Sequence, residues 1–264
     1  MANEYKYEYF NVTFPVEYVA HVEINRPEKL NAFIEQMWLN LSAIFRRLSH
    51  DPNVRSIVMT GAGDRAFTAG LDVKAASQGT LSQSSADPAR TATALRRHIF
   101  EFQDCITALE KCEKPVVVIM HGTSYGLALD LSLACDVRIC AADTRFSVKE
   151  VDIGLAADIG TLSRLPKAVG NFSWVKDVCL SARVFDAEEA NKVGLGLKLA
   201  SLIAMKSPVA VQGTKEVLNY SRDRSVEEGL RYTAVWNAAM LQTADVKDAM
   251  LSGLQKTTPK FSKL

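Results

Sequence analysis

A chain of 264 residues with 48% hydrophobic and 23% charged side chains has enough apolar material for one sizeable core. Its formal net charge is +1, so no overall field recruits nucleic acid or an anionic membrane. The five cysteines make no C-x-x-C pair and the four histidines lie far apart in sequence, which argues against a disulfide framework and against a zinc-type metal site.

Residues 1–8 are polar and acidic, unlike a signal or transit peptide. Residues 10–14 and 19–24 read as two strands joined by a turn that contains Pro15. Asn31 is placed to cap a helix in which Phe33, Ile34, Met37, Trp38, Leu41, Ile44, Phe45 and Leu48 recur near a 3.6-residue period. A strand over 54–60 follows, then a polar loop over 61–85. Residues 89–109 suit a helix with Leu95, Ile99, Phe102, Ile106 and Leu109 on one side. Pro115 opens the run 116–120, which predicts a buried strand and is far too short to span a bilayer. Residues 127–134 predict a short buried helix, and 137–141 a strand.

Beyond Asp158 the pattern is helical, over 174–180, 187–192, 197–205 and 209–220. Ser225-Val226-Glu227-Glu228 is a capping-box signature. The helix it opens spaces Leu230, Trp236 and Met240 to face a partner. The layout is α/β, a β/α core over 1–190 and a helical region over 191–264. The chain closes on Ser262-Lys263-Leu264, a tripeptide read as a peroxisomal address, after what reads as a flexible arm over 257–260.

Two motif matches lack their chemical partners. Gly122-Thr123-Ser124-Tyr125-Gly126 fits the G-x-S-x-G nucleophile elbow, but no histidine follows Ser124 to act as its base. The glycines are better explained by close backbone approach. Gly61-Ala62-Gly63-Asp64-Arg65-Ala66 fits a loose dinucleotide motif, but Phe67-Thr68-Ala69-Gly70 follows where a helix would have to start, so a turn is expected.

The segment Ala69-Gly70-Leu71-Asp72-Val73 lies beyond a strand in a loop of small residues, where backbone N–H groups are accessible. Gly126-Leu127-Ala128 fits the same description at a helix start. Two such N–H groups meeting at one point make an oxyanion hole, and a helix N-terminus adds a favourable dipole. Asp130 stands among apolar neighbours in Leu127-Ala128-Leu129-Asp130-Leu131. Glu150 and Asp158 frame another mostly apolar stretch. Desolvation raises carboxyl pKa values toward the range useful for proton transfer. Taken singly, each acid also fits a buried ion pair or a cap, and Asp158 before Ile159-Gly160-Thr161 fits a helix N-cap.

The stretch from Phe67-Thr68-Ala69-Gly70-Leu71-Asp72 through Lys114-Pro115-Val116, Gly126, Asp130 and Ala134-Cys135-Asp136-Val137-Arg138 resembles the crotonase (enoyl-CoA hydratase/isomerase) family. The run from Val148-Lys149-Glu150 to Arg164-Leu165-Pro166 resembles the delta-3,5-delta-2,4-dienoyl-CoA isomerases within that family. So do Ser221-Arg222-Asp223-Arg224-Ser225-Val226, Trp236-Asn237, Met240-Leu241-Gln242-Thr243 and the final tripeptide. The likeness covers nearly the whole chain.

The resemblance implies a crotonase-type ββα superhelix core with a helical C-terminal trimerisation region, giving homotrimers or hexamers. It implies an acyl-CoA substrate in peroxisomal fatty acid beta-oxidation, and an import receptor that binds Ser262, Lys263 and Leu264. The thioester oxygen would lie between the N–H groups of Leu71 and Leu127, and Ala69, Gly70, Leu71, Asp72, Val73 and Leu127 would bind substrate. Asp130, Glu150 and Asp158 map onto the family's catalytic acids. Glu150 and Asp158 would exchange protons with the two ends of the diene, assisted by Asp130, without metal or redox cofactor. Coenzyme A is then part of the substrate. The chain departs from the pattern in two places. Leu127 stands in a usual glycine run, where a need for φ > 0 would strain it. A strand-bearing segment usual after Gly194-Leu195 is absent before Gly196-Leu197-Lys198. Enoyl-CoA hydration or isomerisation, and non-catalytic acyl-CoA binding, are the competing expectations.

Overall fold

Alternating burial in the first strands produces an antiparallel meander, β1 (Lys6–Tyr7), β2 (Phe10–Val16) and β3 (Val19–Ile24). The protein is represented by a computed structural model that describes residues 5–78, 87–195, 206–255 and 261–262. The expected Pro15 turn is corrected: Pro15 lies within β2, where the register shifts between Thr13 and Val16, and Glu17-Tyr18 make the turn. A residue without an N–H is accommodated at such an irregularity.

Helix α1 (Glu35–His50) buries the expected apolar stripe, but Ile34 precedes it as the N-cap residue and no side chain caps it. Asn31 has another task. It is fully buried at φ +54°, accepts from the Arg26 N–H at 2.9 Å, and donates to the carbonyls of Ala62 and Ala66 at 2.9 Å each. Asparagine tolerates the left-handed conformation, and here its amide satisfies strand-end carbonyls.

β4 (Ser56–Gly61) is followed by β5 (Ala66–Thr68) and α2 (Val73–Gln78), so the expected loop over 61–85 contains a strand and a short helix. Three residues are too few to display a strand's period. Asp87 caps α3 (Pro88–Lys111), accepting from the N–H of Ala89 at 2.9 Å. Then come β6 (Val116–Met120), β7 (Thr123–Tyr125), α4 (Leu127–Ala134), β8 (Val137–Cys140) and β9 (Arg145–Ser147). A 3-10 turn over Glu150–Ile153 leads to α5 (Thr161–Ala168), α6 (Phe172–Ser181), β10 (Phe185–Asp186) and α7 (Ala187–Lys192).

The strands form two sheets, β1-β2-β3-β4-β6-β8 and β10-β9-β7-β5. Pairs β3/β4, β4/β6 and β6/β8 are parallel, as are β5/β7 and β7/β9. Three times the chain steps from the larger sheet into the smaller one, β4 to β5, β6 to β7 and β8 to β9, and after the first two it returns. The expected ββα superhelix is this repeat. Gly122 makes the middle step possible: it sits at φ +52°, and a Cβ there would lie 2.2 Å from the Arg65 carbonyl oxygen. The core between the layers is aromatic and aliphatic, with Phe33, Phe45, Phe67 and Phe146 fully buried.

The carboxy-terminal region is helical: α8 (Pro208–Ser221), α9 (Val226–Met240) and α10 (Ala244–Gln255). The Ser225–Glu228 capping box forms as expected. Lys215 ties α8 to the core, pairing with Asp136 at 2.8 Å and donating to the Lys114 carbonyl at 3.1 Å. The expected helix over 197–205 and the Gly196-Leu197-Lys198 junction lie outside the described residues, as do Lys263 and Leu264. Ser262 is exposed, and Arg55 donates to the neighbouring Phe261 carbonyl at 2.7 Å. All five cysteines are free.

Candidate active site

The loop after β5 is shaped by its backbone hydrogen bonds. Ala69 N–H donates to Leu30 O at 2.9 Å, Gly70 N–H to the Thr68 hydroxyl at 3.1 Å, and Asp72 N–H to Phe33 O at 2.8 Å. Phe33 N–H donates back to Gly70 O at 2.8 Å. Leu71 N–H is left over, with no backbone acceptor among the described residues. A backbone donor without an acceptor in a cavity wall is a ready site for a ligand oxygen.

The second arm is the start of α4. Gly126 N–H donates to Ser147 O at 2.9 Å, while Leu127, the first helical residue, has no backbone acceptor among the described residues. The positive φ of +51° belongs to Gly126, so Leu127 carries no left-handed strain. The two arms touch. A Cβ on Gly70 would lie 3.0 Å from Tyr125 O and 3.6 Å from Leu127 N. Only glycine allows this approach, which brings the Leu71 and Leu127 segments to one place. In the rejected elbow, the Ser124 hydroxyl is fully buried and without a hydrogen-bond partner among the described residues.

All eight residues of α4 are buried, Asp130 among them at 2% exposure. One of its carboxyl oxygens accepts from Thr161 N–H at 2.6 Å and from the Thr161 hydroxyl at 2.8 Å. Asp130 thereby caps α5 from a distance of 31 residues in sequence. Burial pushes its carboxyl up to about 6, against the two Thr161 hydrogen bonds and the nearby Arg164 charge. Glu150 opens the 3-10 turn and faces Gly126, where an added Cβ would lie 3.2 Å from its Oε1. Its Oε2 is buried without a hydrogen-bond partner among the described residues. Burial first, then the charges of Asp130 and Asp158, push Glu150 up to about 7. Asp158 is the most exposed of the three. Partial burial raises its carboxyl, while its own backbone N–H and His98 pull it down. Asp158 does not cap α5, whose N-cap residue is Gly160.

A cavity of about 430 Å³ joins these groups: Gly70, Leu71, Leu127, Asp130, Glu150 and Asp158 all line it. Ala69 and Val73 line it too, but Asp72 does not. Asp72 pairs with Arg26 at 2.9 Å and accepts from Ala75 N–H at 3.1 Å, which makes it a strut for the loop and the cap of α2. Sequence reasoning missed the far wall. There Trp38 stacks on Phe102 with ring centroids 3.6 Å apart, and His98 stands edge-on to Trp38 at 5.6 Å. Ile99 and Phe102 were legible as the apolar face of α3, but nothing local said that this face would line a cavity. Among the described residues no group of three or more His, Cys, Asp or Glu is placed to hold a metal ion. No helix there is long and apolar enough to cross a membrane.

Residues 16–263 match the family model described as enoyl-CoA hydratase/isomerase. The chain belongs to the enoyl-CoA hydratase/isomerase family. Among its relatives is the mouse protein named "Delta(3,5)-Delta(2,4)-dienoyl-CoA isomerase, mitochondrial", 43% identical, with 99% of this chain and 85% of the mouse protein covered. The Arabidopsis thaliana protein of the same name, designated peroxisomal, is 41% identical, with 93% of each chain covered. The mouse alignment runs over 279 positions, more than this chain has residues, so the relative carries insertions. In fold, the crystal structure of an enoyl-CoA hydratase from Bacillus anthracis superposes with a TM-score of 0.85 at 24% identity, covering 97% of this chain and 99% of that one.

Proposed function

We propose that this member of the enoyl-CoA hydratase/isomerase family is a dienoyl-CoA isomerase that converts 3,5-dienoyl-CoA to 2,4-dienoyl-CoA. The observation that carries the reading is one cavity lined by Asp130, Glu150 and Asp158, with Glu35 of α1, and by Leu71 and Leu127, whose N–H groups have no backbone acceptor among the described residues. The relatives from mouse and Arabidopsis bear the corresponding name.

The chemistry follows from the placement. The thioester oxygen sits between Leu71 N–H and Leu127 N–H, which stabilise the negative charge that develops on it. Glu150, packed against Gly126 beside that point, takes the proton from C2. The electron pair of the C2–H bond delocalises over the C3=C4 and C5=C6 double bonds to the thioester oxygen. Asp158, whose backbone carbonyl is held by Gln103 of α3, gives a proton to C6, and double bonds remain at C2=C3 and C4=C5. One proton leaves the acyl chain and one arrives, with no change in oxidation state, so the step calls for no electron carrier. Two carboxylates serve it because C2 and C6 are too far apart for one. Asp130, fixed by Thr161, keeps the Glu150 environment polar and holds its pKa high. A carboxyl near 7 is suited to take and return protons at neutral pH.

The purified protein is expected to convert a 3,5-dienoyl-CoA to its conjugated 2,4-isomer, followed by ultraviolet absorbance, and Asp158→Asn to lower turnover by roughly 10²-fold or more. Water addition in place of isomerisation, or unchanged turnover in Asp158→Asn, refutes the assignment. We read the exposed Leu218, Leu230, Val235 and Met250 of the terminal helices as support for a homotrimer or hexamer, which light scattering measures. For the compartment, the Arabidopsis name and Ser262-Lys263-Leu264 support the peroxisome, whereas the mouse name is mitochondrial. Imaging a fusion with a fluorescent protein ahead of Met1, with and without Leu264, separates the two.

A further inference from the structure

Asp130 owes its orientation to Thr161, whose N–H and hydroxyl both donate to one carboxyl oxygen. Those donors are only as fixed as the first turn of α5, and its N-cap residue, Gly160, has no side chain to cap it. A side chain about one turn further on reaches outward instead. Arg164 Nε donates to Glu110 Oε2 of α3 at 2.8 Å, and Nη2 donates to the Thr107 hydroxyl at 2.9 Å. The other Glu110 oxygen, Oε1, pairs at 2.6 Å with Arg222, just beyond α8. Arg164 and Glu110 are both largely buried. Burial pushes the Glu110 carboxyl up, but the Arg164 and Arg222 charges outweigh it and hold the group below its usual range. The remaining guanidinium nitrogen, Nη1, folds back over Gly160. A Cβ on Gly160 would collide with Nη1 and lie 3.7 Å from Asp130 Oδ1. The missing Cβ therefore lets the guanidinium sit against the turn, beside the Asp130 carboxyl.

We propose that Arg164 is a positioning residue for Asp130: anchored on Glu110 and Thr107 of α3, it fixes the Gly160-Thr161 turn so that both Thr161 donors stay on the Asp130 carboxyl. This rests on the reading of Asp130 as the acid that keeps Glu150 basic. Arginine suits the task, because its planar fork engages Glu110 and Thr107 together while the third nitrogen covers the turn. Through Glu110 the same anchor joins the carboxy-terminal helices to the active site, since Arg222 holds the oxygen that Arg164 leaves. The charged and titratable groups around Asp130 come from several elements. The cavity brings Glu150, Asp158, Lys149, Glu35 and His98. Helix α5 brings Arg164, and α3 brings Glu110 behind it. Of the two small-sheet strands packed on α4, β5 carries no titratable side chain and β7 carries Tyr125.

The test uses the full chain labelled with carbon-13 at aspartate side-chain carboxyls, with the Asp130 signal identified by its loss in Asp130→Asn. In Arg164→Gln, kcat on a 3,5-dienoyl-CoA is expected to fall by roughly 10- to 10²-fold, the cost of slight misplacement in a catalytic constellation. KM stays within about twofold, because Arg164 makes no substrate contact. The Asp130 titration midpoint rises by about 1 pH unit, since the Thr161 hydrogen bonds and the Arg164 charge both oppose the effect of burial. Arg164→Lys keeps the charge but not the fork, and its kcat stays close to that of Arg164→Gln. Combining Arg164→Gln with Thr161→Val costs less than the product of the two single losses, because both act on the same hydrogen bonds. If circular dichroism shows that Arg164→Gln does not fold, Thr107→Val removes one anchor at nearly constant shape and shifts kcat and midpoint in the same directions. A lowered melting temperature with an unmoved Asp130 midpoint and wild-type kcat overturns the proposal, leaving Asp130 in its role. So does a lysine variant at wild-type kcat, or a double variant whose losses multiply. An Asp130→Asn enzyme with full turnover overturns both this proposal and the reading on which it rests.

Discussion

Glu150 is held in a state that costs stability whenever it is ionised. Its carboxyl is pushed from an ordinary 4.5 to about 7 by burial and by the neighbouring Asp130 and Asp158. Below pH 4.5 folded and unfolded chains both hold the proton, so there is no penalty. Between that point and about 7 the folded protein retains a proton that the unfolded chain has released, and stability falls as pH rises. Above about 7 both states are ionised and the full penalty stands. At 1.36 kcal/mol per pKa unit the displacement corresponds to about 3 kcal/mol, reduced to about 2 kcal/mol because part of Glu150 faces the water of the cavity. Glu150→Gln removes the charge at nearly constant shape. Denaturant unfolding of both proteins at pH 4 and pH 8 isolates the effect, because any pH-independent cost of the amide cancels in the difference. The variant is expected to gain about 2 kcal/mol relative to wild type between the two pH values, while losing isomerase activity. A relative stability that does not change with pH would show that Glu150 is not held protonated, and the argument for its basicity would fail with it.

Three further outcomes follow from the same geometry. Leu127→Pro deletes one oxyanion donor at a helical position that tolerates proline, and should lower kcat by roughly 10²-fold with the fold retained by circular dichroism. Gly126→Ala places a methyl group 3.2 Å from Glu150 Oε1 at a residue with φ +51°, so steady-state kinetics should show a reduced kcat before any loss of CoA-ester binding. Asn31→Ala leaves the Ala62 and Ala66 carbonyls and the Arg26 N–H without their partner, and should cost about 3 kcal/mol in urea unfolding.

Several elements were legible because their signal is local. The 3.6-residue stripe of α1, the apolar run of β6, the buried helix Leu127–Ala134 and the Ser225–Glu228 box each depend on neighbours in sequence. β5 was not legible, because three residues carry no period and its pairing comes from β7, more than 50 residues away. Asn31 misled for a related reason. Its side chain is spent on the carbonyls of Ala62 and Ala66, which only folding brings near.

The sequence by itself determined the residue types available for proton transfer and, through the family pattern, which carboxylates to single out. Apolar neighbours in sequence already implied that Asp130 and Glu150 would be costly to ionise. Only the tertiary structure decided how the acids differ. Asp130 is locked by Thr161, Glu150 is pressed against Gly126 with one oxygen lacking a hydrogen-bond partner among the described residues, and Asp158 lines the same cavity as His98. It also removed Asp72 from the cavity wall and added the Trp38–Phe102 stack. The reason is physical: a pKa and a cavity are set by what surrounds a group in space, and those surroundings here come from α1, α3, α4 and the 3-10 turn, which are distant in the chain.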